Sequence, residues 1–162
     1  MKSLAKNYIF KALLCVLVVL LDQISKLLCY QKSFVIIPFL LGSRDVPFLN
    51  TGGAWGIFGD NLWLLILLTI LFLAFVIVTQ IKWKNTSKLY SVALVFIVGG
   101  AIGNLLDRIA LGGVRDFLYF PFFDSFPTFN VADSFLCVGM ILLFVYVIFF
   151  YKKEGKNAVQ HK

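Results

Sequence analysis

The sequence predicts an all-α membrane protein with four transmembrane helices and both termini on the cytoplasmic side, and three observations carry that prediction. The 162 residues are 60% hydrophobic and only 14% charged, whereas a soluble domain carries roughly 25% charged residues. Mean hydropathy is +0.92. Eighteen Phe help raise the aromatic content to 17%, more than a water-facing surface hides. Together these exclude a soluble enzyme, a disordered chain and a nucleic-acid module, despite a net charge of +7. A basic excess in a membrane chain marks its cytoplasmic side instead.

A spanning helix needs about 20 mostly apolar residues. Residues 61–81 carry no charge, residues 89–106 lie between Lys88 and Asp107, and residues 134–151 lie between Asp133 and Lys152. The first span is less clean, because residues 12–21 alone separate Lys11 from Asp22. The apolar texture resumes at Ile24, Leu27, Leu28 and Cys29, so one helix over about 8–29 is expected to carry Asp22 and Lys26 within it. Spans are thus expected at about 8–29, 61–81, 89–107 and 132–151, within a single domain over 1–162. The basic start could be misread as a cleaved signal peptide. Asp22-Gln23 interrupts the run where a small-residue cleavage site is wanted, and Leu14 is too bulky for a lipoprotein-type site at Cys15, so the segment is expected to be retained.

Four spans alternate in direction, and charge sets the orientation. With the N-terminus inside, the inner segments hold Lys2, Lys6, Lys11, Lys82, Lys84, Lys88, Lys152, Lys153, Lys156 and Lys162. All seven Asp then fall on or near the outer side and only Glu154 lies inside, as the positive-inside rule requires of short loops. The outer loop over 30–61 contains Phe34–Phe39 and Val46–Leu49, which read as short strands broken by Pro and Gly. The outer loop over 108–130 is crowded with Phe and Tyr, as in an aromatic belt at headgroup depth.

The chemistry available is narrow. His161 is the only histidine and lies in the polar tail, so Ser-His and Cys-His pairs are excluded. No ligand cluster suggests a metal, and no cofactor is expected. Cys15, Cys29 and Cys137 sit in apolar stretches and read as small hydrophobes. Carboxylates remain. Ionisable groups inside a membrane are costly and default to functional candidates. Asp22 and Lys26 are spaced i, i+4 with the acid first, which suits an ion pair on one helix face. The third span carries Gly99-Gly100-Ala101-Ile102-Gly103-Asn104, whose small residues permit close backbone approach. Asn104, Asp107 and Arg108 follow on one face. Asp107 opposes the helix macrodipole there and needs a partner, for which Arg108 or Lys26 could serve. Asp116 follows Gly112-Gly113. Asn130 with Asp133 three residues later reads as a capping box at the start of the fourth span. Asp133 would also stand level with Asp116 near the outer surface. Two carboxylates about 3 Å apart share a proton, so the ionised one can activate water while the other polarises an amide carbonyl. Asp133, at a helix N-terminus, is the expected base, and Asp116 the expected proton carrier.

The motifs Asp22-Gln23-x-x-Lys26, Asn50-x-Gly52-x-Ala54-Trp55, Gly99-Gly100-Ala101-x-Gly103-Asn104-x-x-Asp107-Arg108, Val114-x-Asp116-Phe117 and Phe129-Asn130-x-Ala132-Asp133-Ser134 occur in the order seen in the lipoprotein signal peptidases. The chain resembles that family, the bacterial type II signal peptidases, along essentially its whole length. The resemblance implies an aspartic endopeptidase with Asp116 and Asp133 as its catalytic pair. It implies that Asn104, Arg108 and Asn130 position the substrate or its scissile carbonyl, and that Asp22, Lys26, Asn50, Gly52 and Asp107 support the pocket. It further implies a small β-cradle and a mobile loop on the outer surface. Gly53 and Arg115 stand where many members carry Ala and Val, and neither is expected to touch the catalytic pair. The implied substrate is a diacylglyceryl-modified prolipoprotein cut just before its lipidated cysteine, reaching the site sideways from the bilayer. The implied location is the bacterial cytoplasmic (inner) membrane, with the site near the outer face, membrane lipids as surroundings, no nucleic acid, and a monomer sufficing. Three rival readings are an ion- or proton-coupled transporter, a serine/lysine peptidase built on Lys26 and Ser134, and a purely structural membrane protein.

Overall fold

The structure is a computed structural model that describes residues 2–45, 49–53, 56–59, 61–82 and 87–151. Val46, Pro47, Phe48, Ala54, Trp55, Asp60, Lys84 and the tail from Lys152, including His161, lie outside the described residues. Among the described residues, four helices are long and apolar enough to cross a membrane: α1 (Lys2–Cys29), α2 (Leu62–Lys82), α3 (Lys88–Leu111) and α4 (Val131–Phe149). The described residues between them include three short strands: β1 (Phe34–Ile37), β2 (Leu41–Ser43) and β3 (Leu118–Tyr119).

The helix α3 is the centre of the bundle. Half of its apolar window is buried, against 17% in each of the other three. Leu13, Leu17, Leu67, Leu71, Phe75, Ile141 and Phe144 are exposed on the other helices, which suits a hydrocarbon solvent. Glycines set how closely the neighbours approach α3. A Cβ at Gly99 would meet Val18 of α1 at 2.6 Å, and one at Gly100 would meet the Ala132 carbonyl of α4 at 2.5 Å. From the other side, a Cβ at Gly139 would meet Ile97 at 2.7 Å. Without side-chain bulk at these positions, dispersion contacts hold the seam where no hydrophobic effect operates between helices in lipid.

The helix α3 runs one turn beyond the point where the charge pattern ends the span at 107. It stops at Gly112, whose φ of 79° is left-handed and whose N–H caps the Arg108 carbonyl at 3.2 Å. That extra turn carries the chain back over the end of the bundle toward Asp116.

The strands form one antiparallel sheet in the order β1-β2-β3. Gly42 faces Tyr119 across it, and a Cβ there would meet that ring at 2.6 Å. Strand β1 falls inside the expected 34–39. It pairs with Leu41–Ser43, reached by a tight turn in which Phe39 has φ 60° and the Leu40 N–H bonds the Ile37 carbonyl at 3.1 Å; of the strand expected at 46–49, residues 46–48 lie outside the described residues. Leu-Gly-Ser has no apolar alternation, so only the pairing itself marks it as a strand. The loops over 30–61 and 108–130 are tied again by an isolated bridge between Asn50 and Val114, which brings Asn50 alongside the segment that carries Asp116.

Candidate active site

Asp22 and Lys26 form the ion pair that their spacing predicts, 2.8 Å apart with both side chains 0% exposed. The second Asp22 oxygen accepts the Ala132 N–H at 2.9 Å, one of the donors that a helix N-terminus leaves without an internal partner. An acid of α1 thereby caps α4. Lys26 also donates to Asn104 Oδ1 at 3.0 Å and lies 3.4 Å from Asp107.

Those contacts orient Asn104. An ammonium only donates, so Oδ1 faces Lys26 and Nδ2 faces Asp133, to which it donates at 2.7 Å. The same logic fixes Asn130, which is fully buried. Its Oδ1 accepts the Asp133 N–H at 2.9 Å while the Asp133 carboxylate accepts the Asn130 N–H at 3.2 Å, the expected capping box. Its Nδ2 is left to donate to Asp116 Oδ1 at 2.6 Å and to Asn104 Oδ1 at 3.0 Å. Asn50 is oriented by the Gly52 and Gly53 N–H groups, which donate to its Oδ1 at 3.1 and 3.0 Å. Its Nδ2 donates to Asp116 Oδ2 at 2.8 Å. A Cβ on Gly52 would meet the Gly59 carbonyl at 2.8 Å, so that glycine keeps the turn that aims Asn50. Three asparagines thus present donors to two carboxylates, each turned that way by a partner that fixes its amide.

Asp116 and Asp133 border one cavity of about 260 Å³ with Asn50, Asn104, Arg108, Phe126, Phe129 and Met140. Asp116 is 4% exposed and Asp133 is half-buried. Burial above all, and then the charge of Asp133, push the Asp116 carboxyl up to about 7 against the hydrogen bonds from Asn50 and Asn130. A second cavity, of about 330 Å³, shares Asn104, Arg108, Asp133 and Leu136 with the first and continues past Leu65, Leu68 and Phe72 of α2. The space beside the carboxylates therefore extends along apolar helix surface. Arg108 borders both cavities, and its buried Nε has no hydrogen-bond partner among the described residues.

Asp107 forms its ion pairs with Lys26 and Arg115 and not with the adjacent Arg108. Successive residues on an α-helix point about 100° apart, so Arg108 turns to the cavity and Asp107 away from it. Of the two partners expected, Lys26 serves and Arg108 does not. The main partner is Arg115, which reaches Asp107 at 2.7 Å and raises its own affinity for a proton through that bond. Reading by sequence missed Arg115, and it missed Gln23 as a contact residue. Gln23 donates to Asp107 at 3.2 Å and accepts from Arg115 at 2.9 Å. The available signals were a polar residue beside Asp22 in an apolar span, and an arginine beside Asp116. The serine/lysine arrangement does not form: Lys26 contacts Asp22, Asn104 and Asp107, while the Ser134 hydroxyl donates to the Asn130 carbonyl at 3.1 Å. The acids of the spans, Asp22, Asp107 and Asp133, gather with Lys26 and Arg108 at one end of the bundle, not along a path through it.

Four apolar helices that hold two acids against three asparagines at one end define a multi-pass membrane protein with a paired-carboxylate site. The family model for signal peptidase (SPase) II matches residues 14–149. Two solved structures are similar over most of their length. One is a bacterial membrane enzyme determined by the in meso method at 2.3 Å resolution, 32% identical with a TM-score of 0.77, covering 86% of this chain and 87% of that one. The other, a bacterial membrane enzyme at 1.9 Å resolution, is 32% identical with a TM-score of 0.76, covering 87% of this chain and 94% of that one. The chain belongs to the signal peptidase II family and is a peptidase of lipoprotein processing.

Proposed function

We propose that the chain is an aspartic endopeptidase that cleaves diacylglyceryl-modified prolipoproteins just before the lipidated cysteine, with Asp116 and Asp133 as its catalytic pair. The observation that carries this reading is the single cavity bordered by both carboxylates, in which the buried Asp116 is held protonated up to about 7. Asp133 is the more exposed acid and serves as base. It takes a proton from water as the water oxygen attacks the scissile carbonyl carbon, and Asp116 gives its proton to the carbonyl oxygen. Asp133 then returns its proton to the departing nitrogen, while Asp116 recovers one from the collapsing diol. Acid and base exchange roles and no proton is lost. Asn50, Asn104 and Asn130 hold the two acids, and the Arg108 guanidinium supports the substrate carbonyl. Asp22, Lys26 and Asp107 brace the asparagines, and Gly52 keeps the turn at Asn50.

The apolar extension past Leu65, Leu68 and Phe72 suits a signal helix arriving from the bilayer. The rings of Phe120, Phe126 and Phe129, with centroids 5.0–5.9 Å apart, suit acyl chains beside the lipidated cysteine. In this reading both termini face the cytoplasm, the site lies near the outer face of a bacterial inner membrane, the outer loop over 30–61 closes over bound substrate, and a monomer suffices.

The test is cleavage of a diacylglyceryl-modified prolipoprotein by the purified chain in detergent, beside the same substrate lacking its lipid. Lipid-dependent cleavage that disappears in both Asp116→Asn and Asp133→Asn is expected. Cleavage that survives both substitutions would end the aspartic reading.

A further inference from the structure

We infer that Arg115 is a positioning residue for the reaction, holding the Asp107 carboxylate as the common anchor of both cavity-lining acids. The inference rests on the proposed aspartic mechanism and adds to it a residue that touches neither acid.

Asp107 is 1% exposed and is met by cationic or amide groups of three residues, one after α3 and two on α1. From Arg115 it accepts the backbone N–H at 3.0 Å, Nε at 3.1 Å and Nη2 at 2.7 Å. Gln23 Nε2 donates at 3.2 Å, and the Lys26 ammonium lies at 3.4 Å. A guanidinium fork on a carboxylate fixes direction as well as distance, and the same Nη2 also donates to Gln23 Oε1 at 2.9 Å.

Two arms leave this anchor. The bound N–H belongs to the residue before Asp116, so the backbone that carries Asp116 is pinned to α3 directly. The other arm runs through Lys26, which donates to Asn104 Oδ1 at 3.0 Å, and Asn104 Nδ2 in turn holds Asp133 at 2.7 Å. Charge gives Arg115 its force. Asp22 and Asp107 are balanced by Lys26 and Arg115, two against two. Without Arg115, one ammonium faces two buried carboxylates. A buried carboxylate that loses its partner draws in any donor within reach, and the nearest is Lys26. Its shift toward Asp107 takes away one of the two donors to Asn104 Oδ1, leaves Asn130 as the other, and loosens the amide that holds Asp133.

The test measures kcat and KM on the lipidated prolipoprotein for the full chain in detergent, with thermal midpoints to confirm folding. Misplacing reacting groups acts on kcat more than on substrate binding, so Arg115→Gln should lower kcat about tenfold while KM stays within about twofold. Arg115→Lys keeps the charge but loses the fork, and should lie between, about threefold down in kcat. Residues acting as one unit are non-additive, so Arg115→Gln combined with Asp107→Asn should be no worse than Asp107→Asn alone. An unchanged kcat, a raised KM at constant kcat, or losses that add with Asp107→Asn would each overturn the inference. If Arg115→Gln does not fold, Arg115→Lys decides, and wild-type kcat in that variant would overturn it. Asp116→Asn and Asp133→Asn run alongside. Activity retained in both defeats the aspartic mechanism and this inference with it, whereas activity lost in both with Arg115→Gln unaffected defeats this inference alone.

Discussion

The two ends of the bundle solve the problem of polar groups in a membrane in opposite ways. At one end Asp22, Lys26, Asn104, Asp107, Asp116 and Asn130 are all buried, and each is held by the hydrogen bonds described above. At the other, α1 and α2 stand apart over the start of α3 and leave a crevice of about 480 Å³, lined mostly by apolar side chains such as Cys15, Val76, Ile77, Val95 and Val98. Its buried Ser91 hydroxyl has no hydrogen-bond partner among the described residues. A fully satisfied polar network specifies one geometry at the cost of intolerance to change, whereas an apolar contact tolerates substitution. Geometry is therefore specified where chemistry needs it.

The comparison breaks first at the carboxylates. Removing a general acid or base costs about 10²–10⁴-fold in rate, so Asp116→Asn and Asp133→Asn should each lose at least that in cleavage rate. The next largest effect is expected at Asn130, whose amide joins the two acids. Asn130→Ala leaves Asp116 Oδ1 without a donor and the Asp133 N–H without its cap. Each such loss is worth about 1–3 kcal/mol, enough for a cleavage rate roughly 10- to 100-fold lower and a reduced thermal midpoint in detergent. Wild-type rate and stability in Asn130→Ala would remove the case for a specified end.

A smaller effect concerns pH. The folded chain holds the Asp116 proton up to about 7, against an ordinary carboxyl value of 3.8. Between those two values the folded state binds more protons than the unfolded one, so this group's contribution to stability falls as pH rises through the window and is constant above it. The shift in thermal midpoint between pH 5 and pH 8 should therefore be smaller in Asp116→Asn than in wild type. The cleavage rate should also decline above about 7, where Asp116 loses the proton that the carbonyl oxygen needs. Identical pH dependence of the midpoint in the two proteins would mean that Asp116 does not carry the proton.

What was legible in the sequence is what is local. The Asp22–Lys26 pair rests on an i, i+4 spacing, the Asn130–Asp133 capping box on a three-residue interval, and the close seam on Gly99 and Gly100, all of which can be read along one helix. The bond from Arg115 to Gln23 spans 92 residues, and no periodicity encodes it. Strand β2 likewise exists because Phe34–Ile37 and Tyr119 lie on either side of it, not because Leu-Gly-Ser favours extension. Asp107 shows the boundary between the two kinds of information. Its need for a cationic partner followed from its place near a helix C-terminus, but which cation answers depends on the turn after Gly112 that returns Arg115 over the helix end.

The smallest expected effect sharpens the contrast from the far end. Ser91 is 8% exposed, and its side chain contributes an unsatisfied hydroxyl to an apolar crevice. Removing such a group takes away a desolvation cost and breaks no bond, so the asymmetry that makes Asn130→Ala damaging works in reverse here. Ser91→Ala should leave cleavage within about twofold of wild type and hold or raise the thermal midpoint by about 1–2 °C. The nearby Gln80–Tyr90 hydrogen bond of 2.9 Å should be untouched. A midpoint lower by several degrees would mean that this end too is fixed by polar contacts, and the division between a specified end and a permissive one would not hold.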